Sequence, residues 1–465
     1  METDIDMQKI VKPIAYIVLL SFVLVGTYKI VSWKDTTGDY QSSTAQLYNT
    51  DKDLIDVVFL GSSHCYTNIY PCLLWRDYGY SAFDMAVSGQ DKNSTYHDLV
   101  EVLKTQHPQV VCVDVYGLLF EEQAVRGNVY RNMLALRTSK NSMDLVKAYV
   151  DEEEWGDFFL RWPIVHTRYR ELDKYDFVTN DINVYGRGEE VSWSDGNGYA
   201  PVDAFYCNEI ADLSETNIEW INKIYDLSLE HDFDLVFFMA PFAATVEDQM
   251  TINMLGLQAE DMGVPFIDFN KIYPQIGYDF NTDASDPFHS DAEGAAKVTG
   301  YFGSFLAENY GLADHRGDDT YKQWDDNYNY YLHKEQEHNL EKQESFDAYL
   351  QYVSVMNDVT VIISLDGYYE WSMDKLGYFG VSKEEYEKGG KWILKDGEIT
   401  HVIDAESDEQ YVLDVNEYDS FLLQNADDVM KDVMYGMTPV CTVSDGLNII
   451  VYDNMQKKII SMRGE

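Results

Sequence analysis

The chain has 465 residues, 45% of them hydrophobic, which excludes a disordered polypeptide and allows two or three domains with buried cores. Its 34 basic residues face 81 acidic ones, a formal net charge of −47. A field of that sign repels polyanions and so excludes nucleic acid and an anionic bilayer as general partners.

After Lys9 and Lys12 comes PIAYIVLLSFVLVGTYKIVSW, residues 13–33, interrupted only by Lys29. About 20 apolar residues span a bilayer, and a lysine one turn from the interface snorkels outward. The rival is a secretory signal, which has a shorter apolar core and a small-x-small cleavage site that is not evident here. We read an uncleaved single-pass anchor, preceded by a cytoplasmic tail at residues 1–12, with the bulk of the chain extracellular at the cell membrane. Lys29 and Lys34 on the far flank weaken the charge asymmetry that sets this orientation.

From residue 50 to 312 strand-like and helix-like patterns alternate. Apolar runs at 55–60, 82–86, 110–115, 234–239 and 265–269 read as strands. Periodic stretches at 94–106, 215–231, 245–262 and 291–309 read as helices between them. Continuous apolar strands alternating with amphipathic helices predict an α/β domain with a parallel sheet covered on both faces. Residues 120–210 break the rhythm and read as an insertion, partly helical and then irregular, at an edge where insertions shape clefts. Six arginines lie there (Arg126, Arg131, Arg137, Arg161, Arg168 and Arg170), and pairing with local acids such as Glu152, Glu153 and Glu154 is their expected use.

Residues 313–346 are polar and tyrosine-rich, a connector ending in a helix. Beyond it, from 347 to 465, VTVIISLDG, GEITHVIDA, QYVLDV, YDSFLL, PVCTVS and LNIIVYD are short alternating runs, which predict a β-rich domain. Cys65, Cys72, Cys112, Cys207 and Cys441 have no metal-ligand spacing and imply no disulfide framework, although Cys65 and Cys72 are close enough in sequence to pair. No metal or other cofactor is expected.

The chemistry concentrates at two points. FLGSSHCYTN, residues 59–68, places Gly61, Ser62 and Ser63 after the first strand, at the strand end where open parallel sheets bind ligands. A serine needs a base within hydrogen-bond reach and a group that orients the base. NTDASDPFHSDAEGAAK supplies both, with Asp286 and His289 three residues apart before a helix. Ser63 is the candidate nucleophile, Ser62 the fallback, His289 the general base and Asp286 its orienter. Each signal alone is ordinary, since a Gly-Ser turn is commonly only a turn and Asp286 or Asp291 can simply cap a helix.

Together these residues resemble the SGNH (GDSL-like) hydrolase superfamily over roughly residues 50–312, with Gly61-Ser62-Ser63 matching its first block and Asp286 to His289 its last. The resemblance implies a flavodoxin-like three-layer α/β/α fold and a serine esterase mechanism. FDMAVSGQ matches the second block, which implies that the backbone of Gly89 joins that of Ser63 in the oxyanion hole. The third block should supply an asparagine, but VVCVDVYGLLF offers Asp114 and Tyr116 instead. Such a donor is worth about 2.7–4 kcal/mol, so its absence matters. Gln90, Asn93 and Tyr116 stand as substitute donors. The nearest subgroup resembles membrane-anchored DltD-like proteins, which serve acyl transfer to cell-surface polymers.

Residues 347–465 resemble the interleukin-like EMT inducer (ILEI/PANDER-like) domain, above all in Gly446-Leu447-Asn448-Ile449-Ile450-Val451-Tyr452-Asp453. That resemblance implies a β-sandwich-like fold and a role toward carbohydrate; a spacer module is the plain alternative. The whole reads as a membrane-anchored extracellular esterase or O-acyltransferase acting on acyl, first of all acetyl, esters of a cell-surface or exported glycan, with a membrane-bound acyltransferase as partner. The alternative is an inactive glycan-binding or assembly protein that keeps the fold.

Overall fold

A computed structural model describes residues 7–32, 42–120, 126–172, 174–177, 185–194, 196, 200–367 and 370–465. The start of the predicted tail, the end of the predicted span at Trp33, and parts of the predicted insertion lie outside the described residues. Residues 1–328 and 329–465 form two units, divided within the helix Lys322–Glu341.

The apolar N-terminal run is one helix, Met7–Val31, with Ile14, Ile17, Leu19, Phe22 and Val25 all exposed along it. At about 1.5 Å per residue it is long enough to cross a bilayer core, a test that a signal sequence near the N-terminus passes as well.

Five strands build the first unit's sheet: β1 (Val57–Leu60), β2 (Ala82–Asp84), β3 (Val110–Asp114), β4 (Asp234–Met239) and β5 (Phe266–Asp268). They run in the order β2-β1-β3-β4-β5, all parallel. Successive side chains of β1 enter opposite cores. Val58 and Leu60 pack with Val111, Val113, Ile224 and Leu255, while Val57 and Phe59 pack with Cys112, Phe238, Val298 and Phe302. Both faces are therefore dry, and helices cover each, which is the three-layer arrangement expected of continuous apolar strands.

Side-chain turns trim the predicted strands. Asp84 accepts from the Ala86 N–H and Asp114 from the Tyr116 N–H, so β2 and β3 end before Ala86 and Val115. Helix starts follow their caps: Asp91 for Lys92–Val102, Ser214 for Glu215–His231, Thr245 with Asp248 for Val246–Asp261, and Asp291 for Ala292–Asn309. Two short helices after β1, Ser63–Tyr66 and Pro71–Tyr78, were absent from the sequence expectation.

Between β3 and β4 the insertion contains helices Arg126–Ala135, Lys140–Tyr149, Trp155–Leu160 and Trp162–Val165. Its arginines do not simply pair with acids. Arg168 binds Asp176 at 2.8 Å, but Arg161 donates to the carbonyls of Leu134 and Leu136, and Arg137 lies over the Tyr48 ring. The side chain of Arg126 lies outside the described residues.

The second unit holds two antiparallel sheets. One contains β6 (Val359–Asp366), β7 (Gly390–Lys395), β8 (Glu398–Asp404), β13 (Gly446–Asp453) and β14 (Lys458–Gly464), in the order β14-β13-β6-β7-β8. The other contains β9 (Tyr411–Asp414), β10 (Ser420–Leu423), β11 (Val433–Tyr435) and β12 (Thr438–Pro439). Ile362, Ile393, Ile450 and Tyr452 of the first sheet pack on Leu413, Phe421, Leu423 and Val433 of the second, giving the sandwich layer. The opposite face carries helical residues Tyr349, Leu350, Val353 and Leu376, a third layer that the strand pattern did not reveal.

One predicted strand fails. PVCTVS is not a strand beyond Pro439; the amide of Asn448 holds this run as a loop, accepting from the N–H groups of Thr442 and Val443 and donating to the Val443 carbonyl. All five cysteines are free thiols, so Cys65 and Cys72 do not pair. Cys65 instead points its thiol at Asp84, 3.3 Å away.

Candidate active site

The sheet order places a topological switch point between β1 and β3, where the loops leaving the two strands diverge and open a crevice. Ser63 leaves β1 at this point as the first residue of the helix Ser63–Tyr66. Gly61 makes the sharp exit feasible, because a Cβ there would lie 2.8 Å from the Asp114 Cβ and 2.9 Å from the Cys65 Cβ. Ser62 is buried, and its hydroxyl accepts from the His64 N–H as the helix cap. It therefore has a structural partner in the helix cap.

The Ser63 hydroxyl is half-buried and lies 2.8 Å from His289 Nε2. His289 Nδ1 lies 2.7 Å from Asp286 Oδ2. The other oxygen, Asp286 Oδ1, accepts from the backbone N–H groups of Phe288 and His289, which fixes the carboxylate against its own loop. Partial burial pushes the Asp286 carboxyl up, but the ring of His289 and the two N–H donors more than offset this and hold it below the ordinary range. Asp291, by contrast, is the plain helix cap, accepting from Glu293 and Gly294.

The His289 loop is itself pinned. The Ser285 N–H donates to the His289 carbonyl, Ala284 bridges Ser290, and the Ala243 N–H after β4 donates to the Pro287 carbonyl. Asn68, fully buried, then joins this loop to the serine turn. Its amide donates to the His64 carbonyl at 2.8 Å and its oxygen accepts from the Ser290 hydroxyl at 2.5 Å. Sequence reasoning missed Asn68, and its one local signal was its place at the end of the serine turn.

Gly89 lies on the loop after β2 with φ +62°, a left-handed conformation that favours glycine. Among the described residues, neither the Ser63 nor the Gly89 backbone N–H has a hydrogen-bond acceptor. Of the substitute donors, Gln90 is committed elsewhere, accepting from the Val87 N–H and donating to Asp98. Asn93 donates to the Tyr149 hydroxyl. Tyr116 stacks flat on the His64 ring at 3.5 Å, and no hydrogen bond occupies its hydroxyl among the described residues.

Beneath this surface lies a layer of buried polar groups. His64 is enclosed between Tyr116 and Phe242, neither ring nitrogen has a partner among the described residues, and burial holds its pKa well below the ordinary value, with His289 6.0 Å away adding to the effect. It is therefore a neutral ring beside a half-buried one. Asp114 Oδ2 is likewise buried without a hydrogen-bond partner among the described residues, and burial pushes its carboxyl up to about 7 against the N–H groups of Tyr116 and Ala240. A small cavity lined by Asp114, Gly61, Ser62, Gln90 and Trp220 adjoins it. Among the described residues no group of three or more His, Cys, Asp and Glu side chains is placed to hold a metal ion.

This set of groups can move a proton from a hydroxyl to an imidazole steadied by a carboxylate, beside two free N–H donors. No family profile matches the chain, and no curated protein does so. Among solved structures, a candidate acylhydrolase from Bacteroides fragilis is similar over 59% of this chain and 99% of its own, with 12% identity and a TM-score of 0.29.

Proposed function

We propose that the chain is a membrane-anchored, outward-facing serine esterase or O-acyltransferase of the SGNH type, acting on acyl, first of all acetyl, esters of cell-envelope or exported glycans. The observation that carries this reading is the unbroken Asp286–His289–Ser63 hydrogen-bonded line at the switch point of a parallel sheet. In the proposed cycle His289 Nε2 takes the Ser63 proton as Oγ attacks the ester carbonyl. The unpartnered N–H groups of Ser63 and Gly89 receive the oxyanion, and Asp286 steadies the imidazolium. Collapse expels the alcohol, protonated by His289, and leaves an acyl-serine. Water or a glycan hydroxyl, deprotonated by His289, then takes the acyl group. The residues are the same for both acceptors, so esterase and transferase share one site.

The DltD-like resemblance and the N-terminal helix support the envelope location and a membrane-bound acyl-donor partner. The C-terminal sandwich fits an accessory glycan-contacting module of the ILEI-like kind.

The test is fluorophosphonate labelling and acetyl-ester hydrolysis by the full-length protein and by Ser63→Ala, Ser62→Ala and His289→Ala. Labelling lost only in Ser63→Ala, and strongly slowed in His289→Ala, is the expected result. A folded parent that neither labels nor turns over would overturn the enzyme and leave a glycan-binding protein.

A further inference from the structure

We infer that residues 155–172 and 174–177 of the insertion seat the first unit on a phospholipid surface. This rests on the reading that the helix Met7–Val31 spans the membrane. The juxtaposition that carries it is Arg168, whose guanidinium donates to the carbonyls of Val31 at 3.0 Å and Ser32 at 2.7 Å. Arg168 thereby caps the last carbonyls of the helix and opposes the negative end of its dipole. Asp176 holds the same guanidinium at 2.8 Å, so the cap is anchored from the protein side.

The end of a spanning helix lies at the interface, because about 20 apolar residues already fill the hydrocarbon core. Residues that grip its last carbonyls must then lie within about one side-chain length of that plane. The elements Trp162–Val165, His166–Arg170 and Lys174–Phe177 all pack against the helix end, and Trp155–Leu160 packs on the first of them. Their outward side chains are those of an interfacial surface. Phe159, Leu160, Tyr169 and Phe177 are 60%, 65%, 58% and 61% exposed, a cost in water that an acyl–headgroup boundary removes. Arg170 lies over the Tyr169 ring and donates to its hydroxyl, pairing a cation with an aromatic at the same level. Acidic Glu152, Glu153, Asp157 and Glu171 flank the patch, so insertion of apolar side chains rather than attraction to anionic lipid drives the contact.

The test uses the full-length protein in phosphatidylcholine nanodiscs, with Cys207→Ser removing the one cysteine that is not buried. Single cysteines replace Leu160, Phe177, Leu229 or Leu19 and carry an environment-sensitive fluorophore, with and without lipid bearing a nitroxide high on its acyl chain. Leu229, 66% exposed on another helix, is the aqueous control, and Leu19 reports the span. Quenching at 160 and 177 about threefold or more above that at 229 is expected if the side chains enter the boundary region. Quenching at 19 with none at 160 and 177 overturns the seating while leaving the span intact. No quenching at any of the three overturns both.

Discussion

Ser290 donates its hydroxyl to the side-chain oxygen of Asn68 at 2.5 Å, and Asn68 returns its amide to the carbonyl of His64. One buried side chain, 222 positions from Ser290 in sequence, thus ties the residue after His289 to the residue after Ser63. This tie joins the loop of the base to the turn of the serine. Asn68→Ala should slow fluorophosphonate labelling and lower kcat by about 10- to 100-fold with KM little changed, since misplacement of about 1 Å costs that much. Ser290→Ala should show a smaller loss, and comparing kcat with KM checks both.

Asp286→Asn leaves the shape of the loop intact but removes the charge that steadies the imidazolium. We expect a fall in kcat on the order of 10²–10⁴. Because the Asp286 carboxyl is held below its ordinary value, the parent should retain the ionised form through mildly acidic pH and lose it only as pH falls below the usual carboxylate range. A pH–rate profile of the parent and the Asn variant separates the two effects.

Asp114 is the buried carboxyl with the clearest linkage signature. Its folded value of about 7 exceeds the ordinary 3.8, so the native state holds a proton that the unfolded chain has released. Stability should therefore fall as pH rises from about 4 to about 7 and stay reduced above that. Asp114→Asn should gain in Tm over the parent at pH 8 and gain little at pH 4. Thermal unfolding at the two pH values is the measurement; the difference between variant and parent cancels the buried Asp98, and repeating it in an Asp84→Asn background removes Asp84, whose carboxyl Asp114 helps to push up.

Gly61→Ala should destabilise the first unit by about 1–3 kcal/mol, because its methyl meets Cβ atoms that are fixed to backbone rather than flexible side-chain ends. The Ser63 turn would be displaced with it, so labelling should fall along with the unfolding midpoint.

In the second unit, Asn448→Leu removes the amide that holds Thr442 and Val443 and leaves their N–H groups without their acceptor. We expect a loss of about 2–4 kcal/mol in that unit. Hydrogen exchange of the Thr442–Val443 loop, read against β1 as an internal reference, checks whether the loss stays local.

Much was legible where the information is local. The β4 run is buried on both faces and matches its predicted strand, and the helix Glu215–His231 has the bounds that its pattern predicts. PVCTVS reads as a strand from its residue types, but Val440 and Cys441 are buried side by side, without the alternation of a strand, and the Asn448 amide holds the run as a loop. Gln90 and Asn93 have the right chemistry for donors, and each gives an amide hydrogen to a partner, Asp98 or Tyr149, 8 or 56 residues away.

The sequence by itself determined the apolar helix, the strand–helix alternation, and the step from Asp286 to His289, because each depends on periodicity or on neighbours a few residues apart. Only the tertiary structure decided that Ser63 and not Ser62 meets the imidazole, 226 residues away, and that Asn68 locks the two loops together. It also decided that Arg168 caps the N-terminal helix. Such contacts follow from sheet order and from the need of buried polar groups to find partners, and neither is written in local pattern.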